Sequence, residues 1–192
     1  AENGFTVDVE GFKEAERKHQ EASKSADAGA AKGGLAEQSE ITTAYHTATH
    51  LLQQALVNVL GNQVAQKGSN ITNERMRFDF TFERPMTKEE IAQVEAIVNE
   101  QIALDLPVTM EIMDLEDAKA SGARALFGEK YGDVVRVVSA GDYSIEFCGG
   151  THITATSQIS LIKILSESGI AAGTRRIEAV TGRKAMEYYQ NR

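Results

Sequence analysis

Apolar residues recur at helical spacing in two long segments of the chain. Ser39 offers an N-cap to the first segment and Gly61 follows its last periodic residue, so the pattern predicts a helix over about 40–60. Thr87 opens the second segment, with a glutamate three residues later that completes a capping box, and the apolar repeat continues to about Leu104. These two segments therefore predict the principal helices of the fold.

Strand-like patterns occupy most of the remaining chain. Apolar and polar residues alternate at period two over 76–82, and together with the residues from 63 onward they predict a pair of strands. Further strands are predicted over 107–113, 134–138, 161–166 and 174–180, and shorter helices over 115–121 and from about residue 183, while residues 144–147 lead into a turn. Because helices and strands alternate irregularly, we predict an α+β fold with a mainly antiparallel sheet packed by helices.

The N-terminal region differs in composition from the rest. Residues 11–24 form a charged helical pattern with few core positions, and residues 25–35 are rich in Ala, Gly and Ser, which is typical of a linker. We therefore place a boundary near Ser39, between an appended segment over 1–38 and a main domain over 39–192. The chain does not open on Met and closes without a stop signal, so we interpret it as a piece of a longer protein.

Composition narrows the class of protein. The chain has 192 residues, 42% hydrophobic content and one cysteine, which suits a globular domain without internal disulfides. No stretch approaches the roughly 20 apolar residues of a membrane span, and the N-terminus does not resemble a signal peptide, so a cytoplasmic location is expected. The net charge of -8 argues against a general nucleic-acid binder. Either a local basic patch or a solvated charged face is compatible with the basic residues Lys163, Arg175, Arg176, Arg183 and Lys184.

Two short repeats with the same spacing lie far apart in the chain. His46 and His50 are four residues apart in the first predicted helix, so both imidazoles project from one face. Cys148, the only cysteine, and His152 have the same spacing, with two glycines directly after the cysteine. Three imidazoles and one thiolate are a ligand set that zinc takes in a tetrahedral site. The matched spacing therefore predicts a zinc site formed by these four residues.

Each pair taken alone has a simpler interpretation. Leucines follow the histidine pair, so the imidazoles could belong to a partly buried core face, and a lone cysteine is often a small core hydrophobe. The coincidence of ligand type and spacing in both pairs favours the shared site.

Several further motifs accompany the two pairs. They are Gln66-Lys67-Gly68-Ser69, Arg77-Phe78-Asp79-Phe80, Phe127-Gly128-Glu129-Lys130-Tyr131, Gly141-Asp142 and Arg175-Arg176-Ile177-Glu178-Ala179-Val180-Thr181-Gly182. With the His-x3-His and Cys-x3-His pairs, they cover nearly all of residues 39–185, and in this order the sequence resembles the editing domain of alanyl-tRNA synthetases. Residues 4–24 also resemble the segment that follows the tRNA-recognition helices of that family.

The resemblance implies an aminoacyl-tRNA ester hydrolase with zinc as its cofactor. Its reaction would be the removal of serine or glycine from the terminal adenosine of mischarged alanine tRNA, so the acceptor end of that tRNA is the expected partner. The resemblance also implies that the ATP-dependent ligase core and the C-terminal oligomerisation region belong to other parts of the parent, and aminoacylation is not expected here. Longer members of the family place a small β-barrel before the His-x3-His helix. Only the linker intervenes here, so a compact variant is expected.

Ester hydrolysis requires groups that orient water, recognise the amino acid and stabilise the developing oxyanion. Beside the four metal ligands, taken as catalytic, we predict roles for Gln66 (water or amino acid), Thr47 or Thr49 (serine hydroxyl), Asp142 (amino group), Gly149 and Gly150 (backbone N–H donors), and Arg175 and Arg176 (tRNA). The sequence leaves other interpretations open, namely a surface amide, helix-face hydroxyls, a turn-forming aspartate and glycines that serve only the turn.

Two other functions fit the same pattern. The editing domain of threonyl-tRNA synthetases shares the His and Cys pairs and would remove serine from threonine tRNA, whereas a zinc-stapled RNA-binding module would hold the metal without catalysis. The C-terminal motif and the N-terminal segment favour the alanine family. Four protein ligands make a closed shell, which is the pattern of structural zinc, whereas a catalytic zinc would need a fifth ligand or one loosely held protein ligand. The sequence leaves both kinds of zinc site open.

Overall fold

The computed structural model describes residues 39–125 and 131–191, together with Glu14 as a single residue. The predicted helix over 11–24 and the linker over 25–35 lie outside these ranges, as does most of the Phe127–Tyr131 motif. The chain divides into one unit over 1–32 and a second over 33–192, and the architecture below is that of the second unit. The predicted boundary near Ser39 stays a prediction.

Helices and strands alternate through the described residues. In chain order they are α1 (Glu40–Leu60), β1 (Gln66–Ile71), β2 (Met76–Thr81), α2 (Lys88–Ala103), β3 (Val108–Asp114), α3 (Leu115–Ala120), β4 (Val134–Ala140), β5 (Ser144–Phe147), a 3-10 helix (Thr156–Ile159), β6 (Ile162–Ala171), β7 (Thr174–Thr181) and α4 (Gly182–Gln190). This sequence of elements confirms the predicted α+β class.

Both principal helices begin at the predicted caps. The Ser39 hydroxyl accepts from Thr42 N–H while the Thr42 side chain accepts from Ser39 N–H, and Thr87 forms the corresponding box with Glu90. Helix α1 ends before Gly61, whose φ of 108° is a conformation that favours glycine. These local signals explain why both helices were predictable from sequence.

The strands form two antiparallel sheets rather than one. A four-stranded sheet has the order β1-β2-β7-β6, and a three-stranded sheet has the order β3-β4-β5. Strand β6 also continues past the predicted residue 166 to Ala171, because β7 pairs with it as far as the tight turn at Gly173. The 3-10 helix was not predicted. The pattern of alternation identifies strands, but it does not identify their partners.

The main core lies between the four-stranded sheet and the two principal helices. Phe78, Phe80 and Ile177 point inward from the sheet with no exposed surface, and Leu51 and Leu52 of α1 are equally buried. Alternate residues of β2 and β7 therefore project to the opposite face, where polar side chains predominate. No helix among the described residues is long and apolar enough to span a membrane.

Candidate metal centre

Helix α1 carries two imidazoles on its buried side. His46 and His50 are 4% and 7% exposed, and their ring centroids are 5.2 Å apart. The one-turn spacing predicted from sequence therefore places both rings beside each other. The leucines that follow continue into the core, so the histidine pair lies at the edge of the apolar interior and not within it.

The turn after β5 brings the other two groups to the same point. Cys148 Sγ lies 3.5 Å from His46 Nε2 and 3.3 Å from His152 Nε2. One potential ligand atom from each of His46, His50, Cys148 and His152 lies within 4.8 Å of the other three. The structure therefore brings together the four residues that the sequence predicts as a metal site, and this group could hold a metal ion.

The Nδ1 atom of each of the three imidazoles contacts a residue outside the set of four candidate ligands. His46 Nδ1 lies 3.0 Å from the carbonyl oxygen of Thr151, so this nitrogen donates and Nε2 is left to accept. His152 Nδ1 lies 3.0 Å from Thr47 Oγ1, and His50 Nδ1 lies 3.6 Å from Glu146 Oε2. Imidazole ligands of metals are usually oriented in this way by a carbonyl, hydroxyl or carboxylate. The arrangement directs Nε2 of His46 and His152 toward Cys148.

Burial keeps the imidazoles neutral. It lowers the pKa of His46 and of His50 to about 4, with His50 adding to the effect on His46, and it also lowers the pKa of His152. A metal binds neutral imidazole, so no proton has to be displaced from these rings near neutral pH. Burial raises the pKa of the Glu146 carboxyl to about 7, against the opposing charge of Arg124. The contact between His50 and Glu146 is therefore not a full ion pair without a metal.

Gly150 and Arg136 shape the turn that carries the cysteine. A Cβ atom on Gly150 would lie 2.3 Å from His46 Cε1, so only glycine fits against that ring. The Arg136 guanidinium donates from Nη1 to the carbonyl oxygens of Cys148 and Gly150, at 3.1 and 2.5 Å. Sequence reasoning missed Arg136 and Glu146. Their positions follow from strands β4 and β5, whose pairing places Arg136 beside Cys148.

The donor set fits zinc. A thiolate and three imidazoles match a tetrahedral Cys-His site, and the outer partners of the imidazoles match those of zinc-bound histidines. Gly150 also packs closely against the His46 ring, on one side of the group. These are properties of the residues themselves, and they support the predicted cofactor.

Thr47 and Thr49 point into the protein. The Thr47 hydroxyl lies against His152 Nδ1, and it is also 3.4 Å from Thr43 O and from the Ile153 N–H. The Thr49 hydroxyl donates to Tyr45 O at 2.9 Å. Both hydroxyls are thus engaged within the described structure. Thr47 contacts the proposed ligand His152, while Thr49 donates a hydrogen bond to the backbone of its own helix.

We expect Thr47→Val to weaken zinc binding by about 10- to 100-fold, the usual effect of losing an outer partner of a metal ligand. The valine removes the oxygen that holds His152 Nδ1 but keeps the shape of the side chain. Zinc affinity would be measured by competition with a chromophoric chelator. Thr49→Val is the matched control, since its hydroxyl contacts only the helix backbone. Equal affinities for the two variants would contradict the role of Thr47.

Gln66 lies in a pocket next to the histidines. The pocket has a volume of about 230 Å³, and its lining includes Gln53, Gln66, Arg124 and Glu146. Gln53 lies one turn after His50 on α1, and Glu146 contacts His50 directly, so the pocket is linked to the candidate ligands through Glu146 and is not lined by them. Gln53 is 2% exposed, and its Oε1 has no hydrogen-bond partner in the part of the chain described. The pocket therefore offers a buried polar wall to a small ligand.

The other predicted residues lie at different distances from the centre. Gly149 is exposed, and Gly150 donates its N–H to Cys148 Sγ at 3.4 Å. Asp142 is exposed on the turn between β4 and β5, so the length of β5 separates it from Cys148. Its predicted contact with an amino group stays a prediction, and the structure does not bring it beside the four ligands.

The predicted basic patch is largely neutralised by carboxylates. Arg175 makes two hydrogen bonds to Glu167, and Arg176 makes two to Asp79. The remaining pairs are Lys163–Glu95, Lys184–Glu74 and Arg183–Glu187. Arg175 and Arg176 are consecutive in β7, so their side chains leave opposite faces of the sheet. They do not form one contiguous patch.

Comparison with known proteins relates the chain to a family. Residues 135–178, which include Cys148 and His152, match the family described as the threonyl and alanyl tRNA synthetase second additional domain. An alanine–tRNA ligase of Treponema denticola is 57% identical over 180 residues, covering 94% of this chain and 30% of that protein. The chain belongs to the alanyl-tRNA synthetase editing-domain family. This confirms the resemblance predicted from the sequence motifs.

Other relatives of the chain are also alanine–tRNA ligases. Alanine–tRNA ligase 1 of Lachnoclostridium phytofermentans is 63% identical over 146 residues, covering 76% of this chain and 17% of that protein. The alanine–tRNA ligase of Bacillus subtilis is 60% identical over 140 residues, covering 73% and 16%. The chain thus spans less than a third of the length of these relatives.

Proposed function

We propose that this domain hydrolyses the ester between serine or glycine and the terminal adenosine of mischarged alanine tRNA. The observation that carries the proposal is the group of four residues that could hold a metal ion, with a pocket nearby whose lining includes Glu146, a contact of His50. The family supplies the tRNA context, because the relatives are alanine–tRNA ligases. Zinc is the proposed metal, and alanine tRNA is the proposed partner.

Hydrolysis requires an oriented water and stabilisation of the charge that develops on the carbonyl oxygen. Zinc held by His46, His50, Cys148 and His152 would supply a Lewis acid beside the pocket. Four protein ligands complete a tetrahedral shell, so Lewis-acid action would require zinc to accept a fifth ligand, and we assign orientation of the substrate to side chains of the pocket. Gln66 is the leading one, because its amide can both donate and accept a hydrogen bond.

Selection of serine over alanine is assigned to the same pocket. The Thr47 and Thr49 hydroxyls already have partners inside the protein, so we assign the serine hydroxyl first to Gln66, which lines the cavity where the amino acid would lie, and keep the two threonines as the alternative. A site that hydrogen-bonds a substrate hydroxyl can reject the analogue without it by up to roughly 10⁴-fold. Glycine also lacks the hydroxyl, so its removal depends on its small size.

We expect the rates of ester hydrolysis to fall in the order serine, glycine, alanine. The test is to charge one alanine tRNA with each amino acid and follow release by the zinc-loaded chain. Gln66→Met should reduce the serine-to-alanine ratio at least tenfold, whereas Gln63→Met, at an exposed amide, should leave it unchanged. A ratio that Gln66→Met does not alter would remove Gln66 from serine recognition.

The same assay separates the two rival functions. Faster removal of serine from threonine tRNA than from alanine tRNA would indicate the threonyl type, which shares the matched family description. No hydrolysis of any ester by zinc-loaded protein would indicate a binding module. The ligase reaction and ATP binding are proposed for other parts of the parent protein only, and a cytoplasmic location remains a proposal.

A further inference from the structure

Three arginines lie together on the polar face of the four-stranded sheet. Arg75 precedes β2 and Arg77 lies within it, so the two share a face of the strand. The register pairs Arg77 with Glu178 and Asp79 with Arg176, which puts Arg176 of β7 on that same face. We call Arg75, Arg77 and Arg176, with Asp79 and Glu178, the arginine face.

The carboxylates of the arginine face do not balance its cations. Asp79 accepts both hydrogen bonds from Arg176, at 2.7 and 2.8 Å, and lies 3.9 Å from Arg77 Nε. Glu178 lies 3.5 Å from Arg75 Nε. One carboxylate is therefore shared by two guanidinium groups, and the face carries three positive charges against two negative ones.

Two guanidinium nitrogens on this face lack an acceptor. Arg75 Nη1 and Arg77 Nε are buried from solvent and have no hydrogen-bond partner among the residues described. The two side chains as a whole are 35% and 30% exposed, so an approaching anion can reach them. A buried donor without an acceptor is unfavourable, so a side-chain shift that brings it to a phosphate oxygen would gain binding energy, while the exposed parts of the guanidinium groups meet the anion directly.

We propose that the arginine face binds the phosphate backbone of the RNA substrate, an inference that rests on the proposed function. Guanidinium groups donate pairs of hydrogen bonds to phosphate oxygens. Arg75 and Arg77 are about 6.6 Å apart along the chain, and Arg176 is a diagonal neighbour of Arg77 in β7 at about 7–8 Å, so the three match a row of phosphates better than a single anion. Asp79 holds Arg176 in place before the RNA arrives. This face gives an otherwise acidic domain a local site for tRNA.

The experiment measures binding of uncharged alanine tRNA to the zinc-loaded chain by fluorescence anisotropy between 50 and 200 mM KCl. Each lost phosphate contact should reduce the slope of log affinity against log salt by about 0.7 to 0.9. We expect Arg77→Gln and Arg75→Gln each to show this reduction, with affinity at 50 mM KCl weaker by roughly fivefold. Arg183→Gln makes the same charge change at a 91% exposed side chain on α4 and should leave the slope unchanged.

The outcomes separate this inference from the proposed function, because uncharged tRNA requires no hydrolysis. A reduced slope in both Arg75→Gln and Arg77→Gln but not in the control supports the arginine face even if no ester is cleaved. Equal slopes in all proteins would overturn it, as would an equal reduction in Arg183→Gln. Inorganic phosphate that displaces tRNA at low millimolar concentration and equal ionic strength would indicate a small-anion site and would also overturn it. Unfolding midpoints and zinc content, measured for every variant, exclude effects of misfolding.

Discussion

His50→Ala is expected to lower hydrolysis of the serine ester at least about 100-fold while the domain still folds. His50 is one of the four proposed ligands and the one that contacts Glu146 in the pocket wall, so its loss affects both the metal and the substrate cavity. Loss of an outer partner alone costs about 10- to 100-fold, and a ligand should cost at least as much as the upper value.

The loss of hydrolysis rate in His50→Ala has to be compared with a loss of stability that is measured without metal. Zinc that binds only the folded state would stabilise the wild type by mass action, so the difference in unfolding free energy is measured for both proteins in chelator. We expect that difference to stay below about 2 kcal/mol, because His50 lies at the edge of the core. A rate loss that matches the metal-free stability loss would assign His50 a structural role only.

Gly150→Ala is expected to destabilise the domain by about 1–3 kcal/mol, the usual cost of overpacking a buried site, and to weaken zinc binding. The added Cβ would overlap the His46 ring, so either the ring or the turn carrying Cys148 must move. Chemical unfolding gives the first quantity and chelator competition gives the second.

Gly132→Ala provides the control for this glycine. A Cβ atom at residue 132 would meet only the carbonyl oxygen of Val134, at 4.0 Å, so ordinary packing is kept. The control should change stability by less than about 0.5 kcal/mol and leave zinc affinity unaltered. Wild-type zinc affinity in Gly150→Ala would show that the close approach to His46 is not required for the site.

Local patterns made much of the fold predictable. Ser39 and Thr87 mark the first turns of their helices, because each forms a capping box with the residue three positions later. The alternation of apolar and polar residues over 76–82 identifies the side of β2 that faces the core. The grouping of the four candidate ligands was predictable because their residue types and their spacing can both be read from the sequence. The two pairs come together because the turn after β5, which carries Cys148 and His152, lies against α1.

Features that depend on pairing between distant strands were not predictable. Arg136 reaches Cys148 and Gly150 because β4 pairs with β5, and Glu146 reaches His50 from the same hairpin. The division into two sheets has the same origin. Thr47 and Thr49 illustrate another limit, since a hydroxyl on a helix can turn to its own backbone or to a neighbouring ring as readily as to a substrate.

The central claim is that His46, His50, Cys148 and His152 hold one zinc ion. The most direct measurement is zinc-edge X-ray absorption on the chain purified without added metal or an affinity tag, with elemental analysis of the same sample. We predict one zinc per chain, surrounded by three nitrogen atoms at about 2.0–2.1 Å and one sulfur atom at about 2.3 Å. A chain without stoichiometric zinc, or a bound zinc without a sulfur ligand, would contradict the claim.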